Sequence, residues 1–266
     1  MFRLAVVPPS LRGVVRRLVA YDEVSATVVR RRQAPTSTCT LVVGLADPLR
    51  VDGTGRAAFV GGLTDAAALT EFAGHQAGVQ ADLTPLGAFR LFGVALPGLV
   101  ALDELDPELA RLPGRLADLP SWSARLAAVV AVLEGRLATS GRGADAEVAR
   151  AWWRLERSSG RTPVAALADE VGWSRRHLSR RFSAQVGLSP TTAGRVLRFR
   201  RAADLLVPPP GTPAVPSSVA DVAAACGFAD HAHLDREFAA LAGCSPTAYR
   251  LGWSTVAVDP AEVEHG

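Results

Sequence analysis

Eight arginines lie between Trp173 and Arg201, at positions 175, 176, 180, 181, 195, 198, 200 and 201, and no aspartate or glutamate interrupts them. A guanidinium is permanently charged, flat and rich in donors, so it pairs with phosphate, with carboxylate or with the edge of a base. A charge run is usually a solvated face. Eight charges of one sign repel one another, however, unless a polyanion relieves them. The rest of the chain makes this block stand out. It has 266 residues, and its 29 basic and 26 acidic residues leave a net charge of only +3. No lysine occurs anywhere, which reads as codon bias.

The block belongs to an internal repeat. One copy reads Leu167-Ala168, Val171-Gly172-Trp173, then Leu178, Arg180, Phe182, Gly187 and Ser189-Pro190. The other reads Val222-Ala223, Cys226-Gly227-Phe228, then Leu234, Arg236, Phe238, Gly243 and Ser245-Pro246. Each copy spells helix, turn, helix. Val164, Leu167, Ala168 and Val171 recur at helical spacing after Thr162-Pro163, with Thr162 as the expected cap. Gly172 supplies a left-handed stop, and Ser174 caps a second helix that buries Leu178 and Phe182 and ends at Gly187. In the second copy Val219, Val222 and Ala223 precede Gly227, and Asp230 caps the helix of Leu234 and Phe238. A long helix from Ser189-Pro190 through Leu206 joins the copies and stops before Pro208, where a loop is expected to about Pro216.

A second helix of this kind can enter a DNA major groove and offer its outer face to base edges. The outer face of the first copy carries Arg175, Arg176, Ser179 and Arg180. Arginine reads guanine through two parallel hydrogen bonds. Arg175 and Arg181 are expected at phosphates. In the second copy His231, Ala232, His233, Asp235 and Arg236 face outward. Asp235 either accepts from cytosine or pairs with Arg236 on the surface.

Residues 1–157 read differently. Val24–Arg32, Thr38–Ala46, Arg56–Gly61 and Gly78–Leu83 have strand character. From Pro85 the pattern turns helical, over Pro85–Leu91, Pro107–Leu112, Ser121–Leu137 and Ala144–Glu156. The expected fold class is α+β. A β-rich, barrel-like domain to about residue 84 carries a helical arm, and an all-α domain of two helix–turn–helix units joined by a long helix follows at 158–253. Residues 254–266, with three acids and no base, are expected to form an acidic tail.

Several chemistries have no support. Cys39, Cys226 and Cys244 make neither a disulfide framework nor a C-x-x-C site. His75 is the only histidine before position 177, so a several-histidine metal site in the β-rich half is excluded. No nucleotide-binding glycine pattern or nucleophile elbow is found, and no catalytic residue or cofactor is expected. Cys39 and Cys226 read as core thiols. Trp152 is expected in the core, or Trp153 in its place, with the other at a contact surface. The start lacks an uninterrupted apolar stretch, no run spans a membrane, and the expected setting is cytoplasmic.

Residues 160–252 resemble the DNA-binding domain of the AraC/XylS family of bacterial transcription regulators. The resemblance rests on Leu167-Ala168, Gly172-Trp173-Ser174, His177-Leu178-Ser179-Arg180-Arg181-Phe182, Gly187-Leu188-Ser189-Pro190, Gly227-Phe228-x-Asp230, Leu234, Arg236, Phe238, Ser245-Pro246 and Tyr249-Arg250. It implies two recognition helices in successive major grooves. By position, Arg176, Ser179 and Arg180, with His231, Ala232, Asp235 and Arg236, would touch bases. Glu237 departs from the family's usual basic residue, and the loop 207–218 is longer than usual. Gly78-Val79-Gln80 and Leu83 to Ala88, with Leu91, resemble the sensor region of one subgroup. The expected function is sequence-specific regulation from an asymmetric two-part DNA site. The expected partner is double-stranded DNA. RNA polymerase, a small-molecule effector and homodimerisation stay open. The alternatives are an alkylation-repair-like enzyme that binds DNA and a non-specific DNA- or protein-binding module.

Overall fold

The computed structural model describes residues 1–96, 98–141, 143–208 and 218–252. The expected acidic tail and most of the expected loop after Pro208 lie outside them. Among the described residues eight strands form one antiparallel sheet: β1 (Phe2–Ala5), β2 (Val15–Gln33), β3 (Cys39–Gly44), β4 (Leu49–Val51), β5 (Thr54–Arg56), β6 (Ala58–Gly61), β7 (Ala68–Leu83) and β8 (Leu99–Ala101). The strand order is β1-β2-β7-β3-β6-β8, with the short β4 leaning on the far half of β7.

Two long strands organise the sheet. β2 and β7 pair from Val15↔Leu83 to Gln33↔Ala68, and a register shift between Ser25 and Val29 interrupts the ladder. Side chains alternate between the two faces of a strand. Leu18, Val43, Val60, Val79 and Leu83 therefore share one face and join the main core, while Val42, Val51 and Phe59 form a small cluster on the other.

Helices cover the first face. α1 (Pro85–Phe92) starts at Thr84, whose hydroxyl accepts the Gly87 N–H at 3.0 Å. α2 (Leu102–Leu105), α3 (Pro107–Ala110) and α4 (Leu112–Ala117) lead to α5 (Trp122–Thr139), which Ser121 caps. α6 (Ala146–Arg157) precedes the first helix–turn–helix, α7 (Val164–Val171) and α8 (Arg175–Val186). α9 (Pro190–Leu206) connects to the second, α10 (Val219–Cys226) and α11 (His231–Ala242), followed by α12 (Pro246–Arg250). The fold is mixed α+β, an antiparallel sheet followed by a helical part.

The core does not divide where the strands and helices do. Leu11, Val79, Trp152, Leu178, Phe182 and Leu197 belong to one continuous cluster. A second cluster holds Val196, Phe199, Leu206, Val222, Leu234, Phe238 and Tyr249. The linking helix α9 thus contributes alternate faces to both. α6 packs on α7, α8 and α9, and α1 packs on α8. The first helix–turn–helix is built into the body of the protein, whereas the second carries its own core.

Candidate nucleic-acid interface

The first unit is shaped by its turn. Gly172 ends α7 at φ 73°, and the Ser174 hydroxyl accepts the His177 N–H at 3.2 Å to start α8. Glycine takes this left-handed conformation without a Cβ penalty. The α7 cap differs from expectation. The first intrahelical bond runs to the Pro163 carbonyl, so Pro163 occupies the cap position, and Thr162 instead donates its N–H to the Ser158 hydroxyl. α8 buries Leu178, Phe182, Gln185 and Val186. Trp152 meets Phe182 with ring centroids 6.2 Å apart, while Trp153 is half exposed beneath Arg157.

Arg175, Arg176 and Arg180 stand exposed on α8, with Ser179 half-buried beside them. Arg180 Nη2 lies 3.4 Å from His177 Nδ1, and His177 sits edge-on to Trp173 at 4.5 Å. Arg181 is placed otherwise. Its Nε and Nη2 donate to the two carboxylate oxygens of Asp145 at 2.6 and 2.8 Å. Arg181 is thus paired with the residue at the head of α6, and its side chain remains 43% exposed. The i+3 step from Leu178 brings Arg181 within reach of that carboxylate.

The second unit repeats the design. Ser218 and Asp221 form a reciprocal capping box, Gly227 turns at φ 75°, and the Asp230 carboxylate accepts the His233 N–H at 2.6 Å. α11 buries Leu234, Phe238, Leu241 and Ala242. Phe199, Phe238 and Tyr249 pack as a triad, with Phe199–Phe238 centroids 4.8 Å apart. His231, Ala232 and Arg236 are exposed. Asp235 has His231 one turn away as its charge neighbour, Nε2 to Oδ1 3.7 Å, rather than Arg236. Neighbours four apart share a helix face and adjacent residues do not. His233 is half-buried: its Nδ1 accepts the Ala229 N–H at 3.3 Å and its ring meets Phe228 edge-on at 5.3 Å, and both contacts tie it to the turn before α11.

Folding also supplies counter-charges that the linear run lacks. Besides Asp145 on Arg181, Glu237 accepts from Arg195 at 3.0 Å, and Asp204 accepts from Arg200. The Arg195–Glu237 pair accounts for the acid at position 237. Arg198 has no acid partner among the described residues, and its Nε is buried without a hydrogen bond there. Arg175, Arg176, Arg180 and Arg201 remain exposed and without an acid partner among the described residues. The uncompensated charge is thus concentrated at the start of α8. Asp145, Gln185 and Glu237 were not singled out as site residues, since their partners lie 36 or more residues away in sequence.

The Arg181 guanidinium holds the Asp145 carboxyl below the ordinary carboxylate range. The thiols move the other way. Burial pushes Cys39 up to about 12, raises Cys226, and takes Cys244 to about 11. None has the depressed pKa of an activated nucleophile. Among the described residues no helix is long and apolar enough to cross a membrane, and no group of three or more His, Cys, Asp or Glu could hold a metal ion.

Residues 167–252 match the family model described as a helix-turn-helix domain. The C-terminal third of the chain is an AraC-type helix–turn–helix domain. No curated protein matches the chain. Among solved structures, ToxT from Vibrio cholerae with a bound unsaturated fatty acid aligns over 93% of this chain and 99% of its own, at 10% identity and a TM-score of 0.50. That likeness is one of fold. The C-terminal domain of AraT, a response regulator from Geobacillus stearothermophilus, is 20% identical over 46% of this chain and 98% of its own, with a TM-score of 0.37. The DNA-binding domain of AdpA, a global transcriptional factor solved with a target DNA, is 29% identical over 46% of this chain and all of its own, with a TM-score of 0.36.

Proposed function

We propose that this protein is a DNA-binding transcription regulator that reads an asymmetric, two-part site with α8 and α11. One observation carries the reading: Arg175, Arg176 and Arg180 stand exposed and without an acid partner among the described residues, on the second helix of an AraC-type unit. Arg175 would neutralise phosphate, and Arg176, Ser179 and Arg180 would read bases from the first helix. His231, Ala232, Asp235 and Arg236 would do so from the second, and His233 would hold the turn. Phosphate contacts fix register and base-edge contacts fix sequence. The two outer faces differ in every side chain but one arginine, so the two halves of the site would differ too.

We place the start of the DNA-binding unit at Ala146, because α6 packs on α7, α8 and α9. The preceding residues would form a sensor domain acting in the cytoplasm. A cavity of about 300 Å³ on the second sheet face, lined by Arg17, Thr40, Val42, Phe59 and Gln80 among others, is where a small-molecule effector would sit. The enzymatic alternative finds no support in the thiols, whose pKa values are raised. Hydroxyl-radical footprinting of the full chain on its preferred duplex tests the proposal. Protection of two blocks on one face of the helix is expected, with specific binding about a thousandfold or more tighter than non-specific binding. Uniform protection along any duplex would overturn it.

A further inference from the structure

Asp145 lies at the head of α6, where the segment leaving α5 enters the DNA-binding unit. It makes three bonds to α8. Both carboxylate oxygens accept from Arg181, and its backbone N–H donates to Gln185 Oε1 at 2.9 Å. Gln185 is only 3% exposed, so this amide is held in place by packing. The three bonds grip α8 at two positions one turn apart, on the side opposite its exposed arginines. A forked guanidinium–carboxylate pair fixes angle as well as distance. α1 packs on the same helix, and the Leu96 carbonyl lies 3.3 Å from where a Cβ on Gly187 would be.

We propose that Asp145 is a positioning residue for DNA recognition, holding α8 through Arg181 and Gln185 at the pitch its outer face needs. Arg181 is then withheld from phosphate although it belongs to the arginine run. The chain segment leaving the sensor half delivers this grip, so a shift of that segment reaches the recognition helix directly. The proposal rests on the reading of α8 as a base-reading helix.

Salt dependence separates positioning from phosphate contact. Each neutralised phosphate contributes about −0.9 to the slope of log K against log salt. The full chain and its variants would be titrated by fluorescence anisotropy with the duplex that the wild-type chain enriches from a random library, and with an unselected duplex pool. Arg181→Ala is expected to weaken the enriched site about tenfold, within the range for directly coupled groups, with an unchanged slope. Asp145→Ala should weaken the enriched site similarly, with an equal or steeper slope, since Arg181 is freed. The exchange Asp145→Arg with Arg181→Asp should recover affinity to within about threefold. Asp145→Asn keeps the shape and serves in place of any variant whose circular dichroism shows a lost fold.

A slope flattened by about 0.9 in Arg181→Ala, with Asp145→Asn behaving as wild type, would make Arg181 a phosphate contact and overturn the proposal. So would wild-type affinity in both single variants. Arg180→Ala is the control for the underlying reading. If it too leaves the enriched site unaffected, α8 does not read bases and the positioning claim falls with that reading. If Arg180→Ala weakens the site and the Asp145 variants do not, the positioning claim alone fails.

Discussion

Arg195 on α9 donates from Nε to Glu237 Oε2 on α11 at 3.0 Å, with the glutamate side chain only 16% exposed. This bond ties the linking helix to the second recognition helix. Glu237→Ala leaves Arg195 without its partner. A charge-assisted hydrogen bond in this setting contributes about 1.5–3 kcal/mol. The expected outcome is a loss of about that size in urea unfolding, together with a steeper salt dependence of DNA binding as Arg195 becomes free. An unchanged unfolding midpoint would show that the pair does not hold α11.

Arg180 is exposed, with its Nη2 3.4 Å from His177 Nδ1. Arg180→Ala is expected to cost about 1–3 kcal/mol at the preferred site and to relax preference at one base pair. Selection repeated with the variant checks this. Equal weakening on all sequences would assign Arg180 to phosphate.

Gly160 turns the chain out of α6 at φ 75°, and a Cβ there would lie 2.0 Å from the Gly194 carbonyl oxygen on α9. Gly160→Ala therefore meets both a left-handed backbone and a backbone clash. The expected destabilisation is about 2–4 kcal/mol. Gly194→Ala should cost less, since its Cβ would stand 3.0 Å from Gly160 O with no unusual φ. Thermal unfolding of the two variants gives the order, and a reversed order would contradict the packing.

Asp106 accepts from Arg136 at 2.6 Å, and this hydrogen bond holds its carboxyl below the ordinary range. A folded-state pKa below the unfolded value of about 3.9 means stability that is present above about pH 4 and lost as pH falls through the depressed value. Asp106→Asn should be less stable than wild type at pH 7, and the gap should close as pH falls below about 4 and through the depressed folded-state value. A gap independent of pH would mean that the ion pair contributes nothing.

The helix–turn–helix pair was legible because its signals are local. Ser174, Ser189 and Asp230 cap the helices assigned to them, and Gly172, Gly187, Gly227 and Gly243 all end helices with positive φ. The sheet was legible only in pieces. Val24–Arg32 is the second half of a 19-residue strand whose first half, Val15–Glu23, was missed. Its Arg16 and Arg17 break the apolar alternation where the register shifts between Val15 and Arg17, and their side chains reach Glu156 and Asp82. The same limit explains the charge run. Arg181 and Arg195 looked uncompensated because Asp145 and Glu237 lie 36 and 42 residues away, and no local spacing announces such a pair. Helical count likewise does not announce the bond from the Ala229 N–H to His233 Nδ1.

The central claim is that two unlike helices in one chain read one asymmetric site. Selection from a random duplex library by the purified full chain, at about physiological salt, tests it most directly. The expected result is a two-part, non-palindromic motif with half-sites about one helical turn, roughly 10 base pairs, apart. Arg180→Ala should then degrade one half and Arg236→Ala the other. Recovery of no motif, with binding that disappears steeply as salt rises, would contradict it and leave only the electrostatic attraction of the arginines on α8.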